Sequence, residues 1–139
     1  LNTWSKLVKV ANSFSTLIHR TNLNLGELSW ICIEASNTIF TGMRSAITPL
    51  IGTPEAAVNT GNGADGTPTK YIDKIAEDIA VSVIKKEQLC RLLISEEAGK
   101  VVIGGDTGTI FLDPVDGTYN ALMNLPLFAV SLAYVKMEY

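Results

Sequence analysis

The chain has 139 residues, 47% of them hydrophobic and 18% charged, with a net charge of −3. That length suits one domain with one core, and the composition is that of an ordinary globular protein. No apolar run reaches the ~18 residues of a membrane span, and the basic patch that nucleic acid demands is missing.

The charge is unevenly spread. Residues 1–26 hold Lys6, Lys9 and Arg20 and no acid, whereas residues 27–139 hold eight bases and fourteen acids. Trp4, Leu7, Val8, Ala11, Phe14, Leu17 and Ile18 recur at helical spacing, so the first segment is expected to be a helix. It fits a docking helix, a cloning remnant or a basic, Ser-rich transit peptide. A second helix is expected from about Glu27 to Leu50, with Leu28, Ile31, Cys32, Ala35, Ile39, Met43, Ala46, Ile47 and Leu50 along one side. Gly52 to Gly66 is rich in glycine and polar residues and reads as a mobile loop. A third helix is expected from about Lys70 to Leu93, with Thr69 as its N-cap and Ile72, Ile75, Ala76, Ile79, Ala80 and Val83 facing inward. Asp73, Glu77 and Asp78 lie toward its N-terminal end, where negative charge is favoured.

Strands follow. Leu92–Ile94, Val101–Ile103, Thr109–Leu112 and Leu127–Val135 are apolar runs, and Asp116 to Met123 can begin a short helix. Two long helices followed by several strands predict an α+β fold. Cys32 and Cys90 are far apart and read as reduced, buried thiols, in keeping with a cytoplasmic setting. The single histidine, His19, excludes metal or catalytic motifs built on several histidines. Neither a GxSxG elbow nor a GxxxxGK[ST] loop is present.

Three acidic groups fall where strands should end: Glu96-Glu97, Asp113 and Asp116. Pro114 is expected to stop the preceding strand and to turn both aspartates, with the Val115 carbonyl, toward one point. Crowded carboxylates repel unless a cation lies between them, and an all-oxygen set suits magnesium. Gly117-Thr118 then opens a short helix whose free N–H groups suit a phosphate. Taken alone, Asp-Pro-x-Asp-Gly-Thr also reads as an ordinary turn, and Glu96-Glu97 as a solvated one.

Together these features are far more specific. Asp113-Pro114-Val115-Asp116-Gly117-Thr118-Tyr119-Asn120 resembles the signature of the inositol monophosphatase and fructose-1,6-bisphosphatase superfamily, with Ser95-Glu96-Glu97 placed 17 residues ahead of Asp113. Gly63 to Asp73 is similar to the loop and helix start of the archaeal dual-activity members, and Leu125 to Ser131 to the strand after the signature. The likeness runs from about Glu27 to the end, over what would be the N-terminal half of that fold: long helices packed on a mainly antiparallel sheet. Residues 1–26 have no counterpart in it.

The resemblance implies a magnesium-dependent hydrolase of phosphate monoesters, in which metal-activated water attacks phosphorus in line. It implies that Glu96, Asp113 and the Val115 carbonyl hold a first magnesium, that Asp113 and Asp116 hold a second, and that Asp65 binds a third, weaker one. Asp73 would orient Thr118, and this pair would position the attacking water with Glu96. Backbone N–H groups of Gly117 and Thr118 would hold the phosphate, and Glu97 would support Glu96. A complete site holds two or three ions; one well-formed site is expected here. Full-length members of the family are expected to be homodimers acting on small sugar or inositol phosphates, without nucleic acid or membrane.

Members of the family run well beyond this length, and their C-terminal half supplies a further aspartate and most sugar contacts. The chain is therefore expected to be a piece of a longer enzyme or a shortened homologue, weak or inactive alone. A non-catalytic metal- and phosphate-binding or assembly module is the alternative. A purely structural α+β domain is the third reading, and the clustered carboxylates speak against it.

Overall fold

A computed structural model of the chain describes residues 8–13, 15–18, 28–105 and 108–135, with side chains from Ala35 onward. The elements run in the order β1 (Val8–Ser13), β2 (Ser15–Ile18), α1 (Leu28–Ile47), β3 (Asn59–Asn62), β4 (Pro68–Lys70), α2 (Tyr71–Lys86), β5 (Leu92–Ser95), β6 (Gly99–Val102), β7 (Thr109–Asp116), α3 (Thr118–Leu122) and β8 (Ala129–Val135). One six-stranded sheet has the order β2-β1-β8-β7-β5-β6, and β3-β4 form a separate hairpin. Only β5 and β7 run parallel; every other neighbouring pair in the sheet is antiparallel. The fold is thus α+β, as the order of helices and strands predicts, with the mainly antiparallel sheet that the family resemblance implies.

The first segment departs from expectation. Val8–Ser13 and Ser15–Ile18 are strands, not helix, and β1 pairs with β8 from Val8↔Tyr134 to Asn12↔Val130. A short stretch containing Val8 and Val10 is suited to either form, and a waiting strand edge supplies hydrogen bonds that a lone helix must make by itself.

Helix α1 has Ala35, Ile39, Met43 and Ile47 at four-residue steps, all buried. Its helical turns give way to a tighter turn at Thr48–Leu50, where Pro49 cannot supply an amide hydrogen. Helix α2 buries Ile72, Ala76, Ala80 and Ile84 in one row. Ile75, Ile79 and Val83 are only half-buried beside it. The small alanines let α2 lie close to α1, and both helices cover one face of the sheet through Leu93, Ile110, Leu112, Val130 and Leu132. Cys90 is buried as a thiol in the same core, while Cys32 lies outside the described side chains. Among the described residues no helix is long and apolar enough to cross a membrane.

Helix α2 is shorter than expected at its C-terminal end. It ends at Lys86, and Gln88 follows with φ +50°. Leu92–Ser95 then leave the helical pattern because β5 finds partners in both β6 and β7. At its start, Lys70 rather than Thr69 occupies the cap: the Lys70 N–H donates to Asp73 Oδ2 at 3.3 Å. The stretch from Gly52 to Gly66 also has more order than expected. It holds a tight turn at Glu55–Ala57 around buried Ala56, and then β3, all four of whose residues are exposed.

Candidate active site

The parallel pair β5–β7 sets the site. Its register places Ser95 opposite Leu112, so Glu96, just past the end of β5, comes beside Asp113, still within β7. The Glu96 N–H donates to the Leu112 carbonyl at 3.1 Å and pins that junction. Open sites at the carboxyl ends of parallel strands are a general property of such sheets.

Pro114 does not end the strand, contrary to the sequence reading. β7 continues to Asp116 across a bulge: Asp113 pairs with Ser131 and Asp116 with Ala129, so two residues face one. The bulge has a geometric result. Side chains three apart on a regular strand point to opposite faces. Here Pro114 and Val115 are both buried, and Asp116 returns to the open side shared by Phe111 and Asp113. Both aspartates therefore meet on one side, though by a bulge and not by a break.

The electrostatics follow from this crowding. Asp113 is pushed up to about 7, first by burial, then by the charge of Glu96, its hydrogen bond with Glu96 and the charge of Asp116. Its Oδ1 is buried and accepts no hydrogen bond. A buried lone oxygen between two further carboxylates fits a hard cation better than it fits any protein donor. Glu96 itself is exposed, and Asp116 Oδ2 accepts a hydrogen bond from Ser131 Oγ at 3.3 Å. Among the described residues no three acidic, histidine or cysteine groups close around one point, so the expected well-formed metal site is not fully drawn together.

Beside them, Thr118 Oγ1 donates toward Asp73 Oδ1 at 2.8 Å and the Val115 carbonyl at 2.9 Å. One proton serves two acceptors, which leaves the hydroxyl oxygen's lone pairs able to accept from water. Asp73 is nearly buried in the first turn of α2. Burial pushes it up to about 6, against the hydrogen bond from Thr118. Gly117 links the two aspartates to α3 with φ +92°, and a Cβ there would come within 2.9 Å of the Leu127 carbonyl. Only glycine fits that turn without strain.

Glu97 and Asp65 lie to one side. Glu97 is turned toward the β3–β4 hairpin, where its Oε2 accepts a hydrogen bond from Thr69 Oγ1 and its carbonyl accepts from the Ala64 N–H. Burial raises its pKa, with Glu96, Glu77 and Asp65 adding to the rise. Asp65 is exposed at the hairpin tip, where Thr67 N–H and Oγ1 donate to it at 2.8 and 2.7 Å and hold its pKa low. Three residues of this region escaped the sequence reading as site parts: Thr69, Ser95 and Glu77. Glu77 is buried and accepts from Ser95 Oγ and from the Ala98 N–H. Its signal was available, since an acid four residues after Asp73 shares that helix face.

Known proteins resemble this chain in sequence and in fold. A profile of the inositol monophosphatase family matches residues 32–139. The chain is 48% identical over 93 residues to a bifunctional NADP phosphatase/NAD kinase of Methanocaldococcus jannaschii, covering 66% of this chain and 16% of that protein. It is 47% identical over 95 residues to a fructose-1,6-bisphosphatase/inositol-1-monophosphatase of Methanothermobacter thermautotrophicus, covering 66% and 34%. A solved inositol monophosphatase-fructose 1,6 bisphosphatase superposes with a TM-score of 0.66 at 31% identity, over 78% of this chain and 41% of that one. A Pyrococcus horikoshii protein with similarities to inositol-1 monophosphatase gives 0.60 at 35% identity, over 74% and 38%. The chain spans less than half the length of each of these relatives.

Proposed function

The chain belongs to the inositol monophosphatase family, and on that premise we propose that it carries the metal- and phosphate-binding part of a magnesium-dependent phosphate monoester hydrolase. The observation that supports this most is the orphaned, buried Asp113 Oδ1 beside Glu96 and Asp116, one turn of chain from a Thr118 hydroxyl aligned by Asp73. Glu96, Asp113 and the Val115 carbonyl would hold a first magnesium, Asp113 and Asp116 a second, and Asp65 a third. Bound magnesium supplies Lewis acidity, which lowers the pKa of water and neutralises charge on the leaving oxygen.

The chain's own groups do the rest. The Thr118 hydroxyl donates a hydrogen bond shared by Asp73 and the Val115 carbonyl and is left able to accept one from the attacking water, which would fix the direction of attack. Glu96 and Asp73 are the groups placed to orient that water and to take its proton. The Gly117 and Thr118 N–H groups hold the phosphate oxygens. Residues 27–139 would form this metal-binding domain, with residues 1–26 as an addition to it. The substrate class is a small phosphate monoester, with inositol-1-phosphate, fructose-1,6-bisphosphate and NADP as candidates from the names of the relatives. The longer enzyme is proposed to be cytoplasmic and homodimeric.

A second reading is a non-catalytic metal- and phosphate-binding module.

The test is phosphate release from those three substrates, with and without magnesium, by this chain and by a form extended to the length of its relatives. The extended form is expected to release phosphate only with magnesium, and this chain weakly or not at all. Release without magnesium, or release that survives Asp113→Asn, would defeat the proposal. Calorimetry on this chain should show magnesium binding that weakens on Glu96→Gln; binding indifferent to that change would remove Glu96 from the first site.

A further inference from the structure

Helix α2 buries two acids one turn apart, Asp73 and Glu77. Asp73 reaches the turn after β7, through Thr118. Glu77 reaches the turn after β5. Its Oε1 accepts from Ser95 Oγ and, at 2.9 Å, from the Ala98 N–H. Those two donors bracket Glu96 and Glu97. No ion pair among the described residues involves Glu77. A buried carboxylate without a cation is costly, and a tight turn between two antiparallel strands needs no such support to form.

We propose that Glu77 is a positioning residue of the carboxylate site: anchored on α2, it holds the Ser95–Ala98 turn so that Glu96 stands beside Asp113. Asp73 and Glu77 then work as two fixed points on one rigid helix, which sets the separation of the turn bearing Glu96 from the turn bearing Thr118. Glu77 touches neither water nor metal in this scheme and acts through Ser95 and Ala98. The inference rests on reading Glu96 and Asp113 as groups that hold a cation.

The test compares Glu77→Ala and Glu77→Gln in this chain by amide hydrogen exchange and by magnesium calorimetry, at a temperature where denaturation shows each variant folded. Glu77→Ala is expected to speed exchange at the Ala98 amide about tenfold and to weaken magnesium binding about tenfold, with Ile110 and Leu112 amides unchanged. Glu77→Gln keeps an acceptor oxygen and is expected to restore most of both. A purely structural role would lower the denaturation midpoint and leave magnesium affinity alone; that result overturns the proposal. Wild-type exchange at Ala98 in folded Glu77→Ala overturns it as well. If Glu77→Ala does not fold, Ser95→Ala removes one of the two bonds and carries the same test: a smaller loss of affinity is expected, and unchanged affinity refutes it. If the unaltered chain binds no magnesium at all, the functional reading fails, and the Ala98 exchange alone then decides whether Glu77 holds the turn.

Discussion

Asp113 and Asp73 are carboxyl groups that the fold prefers to keep protonated, at about 7 and about 6 against an ordinary 3.8. A proton bound more tightly in the folded state stabilises it. That contribution is complete below pH 3.8 and is lost as pH rises through about 6 and then about 7. Asp65 works in the opposite sense, below pH 3.8, because Thr67 holds it low. Metal-free protein is therefore expected to lose stability to urea between pH 4 and pH 7.5, and Asp113→Asn to flatten that decline. Magnesium should raise the urea midpoint at pH 7.5 and not at pH 4, where protons occupy the same oxygens. A midpoint that climbs with pH in the absence of metal would contradict the assignment. At this scale the sequence was informative wherever chemistry is carried by residue type. Glu96, Asp113 and Asp116 were legible as an acidic set at strand ends, whereas the pairing of Asp73 with the Thr118 hydroxyl was implied by the family resemblance alone. Glu77 and Thr69 were not legible, because their importance lies in what they touch across the fold, and a helix-face acid or a threonine before a helix has many uses.

The elements show where periodicity stops being a guide. The burial rows of α1 and α2 were visible as four-residue steps of apolar side chains. The hairpin β3–β4 was not, because every β3 residue is exposed and backbone pairing leaves no hydrophobic pattern. The extra residues given to α2 came from an apolar run that a strand satisfies equally well. The bulge at Pro114 and Val115 was read as a break, since proline lacks the ladder donor but the sequence does not reveal that β8 accommodates two residues against one. Gly117→Ala is expected to cost about 1–3 kcal/mol through left-handed strain and to move the Thr118 turn. Urea denaturation would measure the first effect, and weaker magnesium binding at a folded temperature the second. The hairpin has its own latch. Gly63 lies so near Glu97 that a Cβ would sit 2.9 Å from Oε2, and Thr69 and Ala64 both donate to Glu97. Glu97→Ala should accelerate exchange at the Ala64 amide while α1 amides in the core stay protected; equal protection in the variant would dismiss the latch.

Across the molecule, the two helices and one face of the sheet form a single apolar core in which Met43 is wholly enclosed. Met43→Ala is expected to lower unfolding free energy by about 2–5 kcal/mol, read from denaturant midpoints, without changing magnesium affinity in the folded protein. The α+β class was legible because long helical stripes precede short apolar runs. The strand order was not, since it depends on which distant edges meet: β1 covers the edge of β8, and β7 crosses β5 to leave β6 outside. That crossing has a consequence for how such a chain tolerates change. Because Glu96 and Asp113 are aligned by the register of two parallel strands, a single residue inserted within β5 would bring a different side chain beside Asp113. Within Leu92–Ser95 the count of residues is itself part of the candidate site.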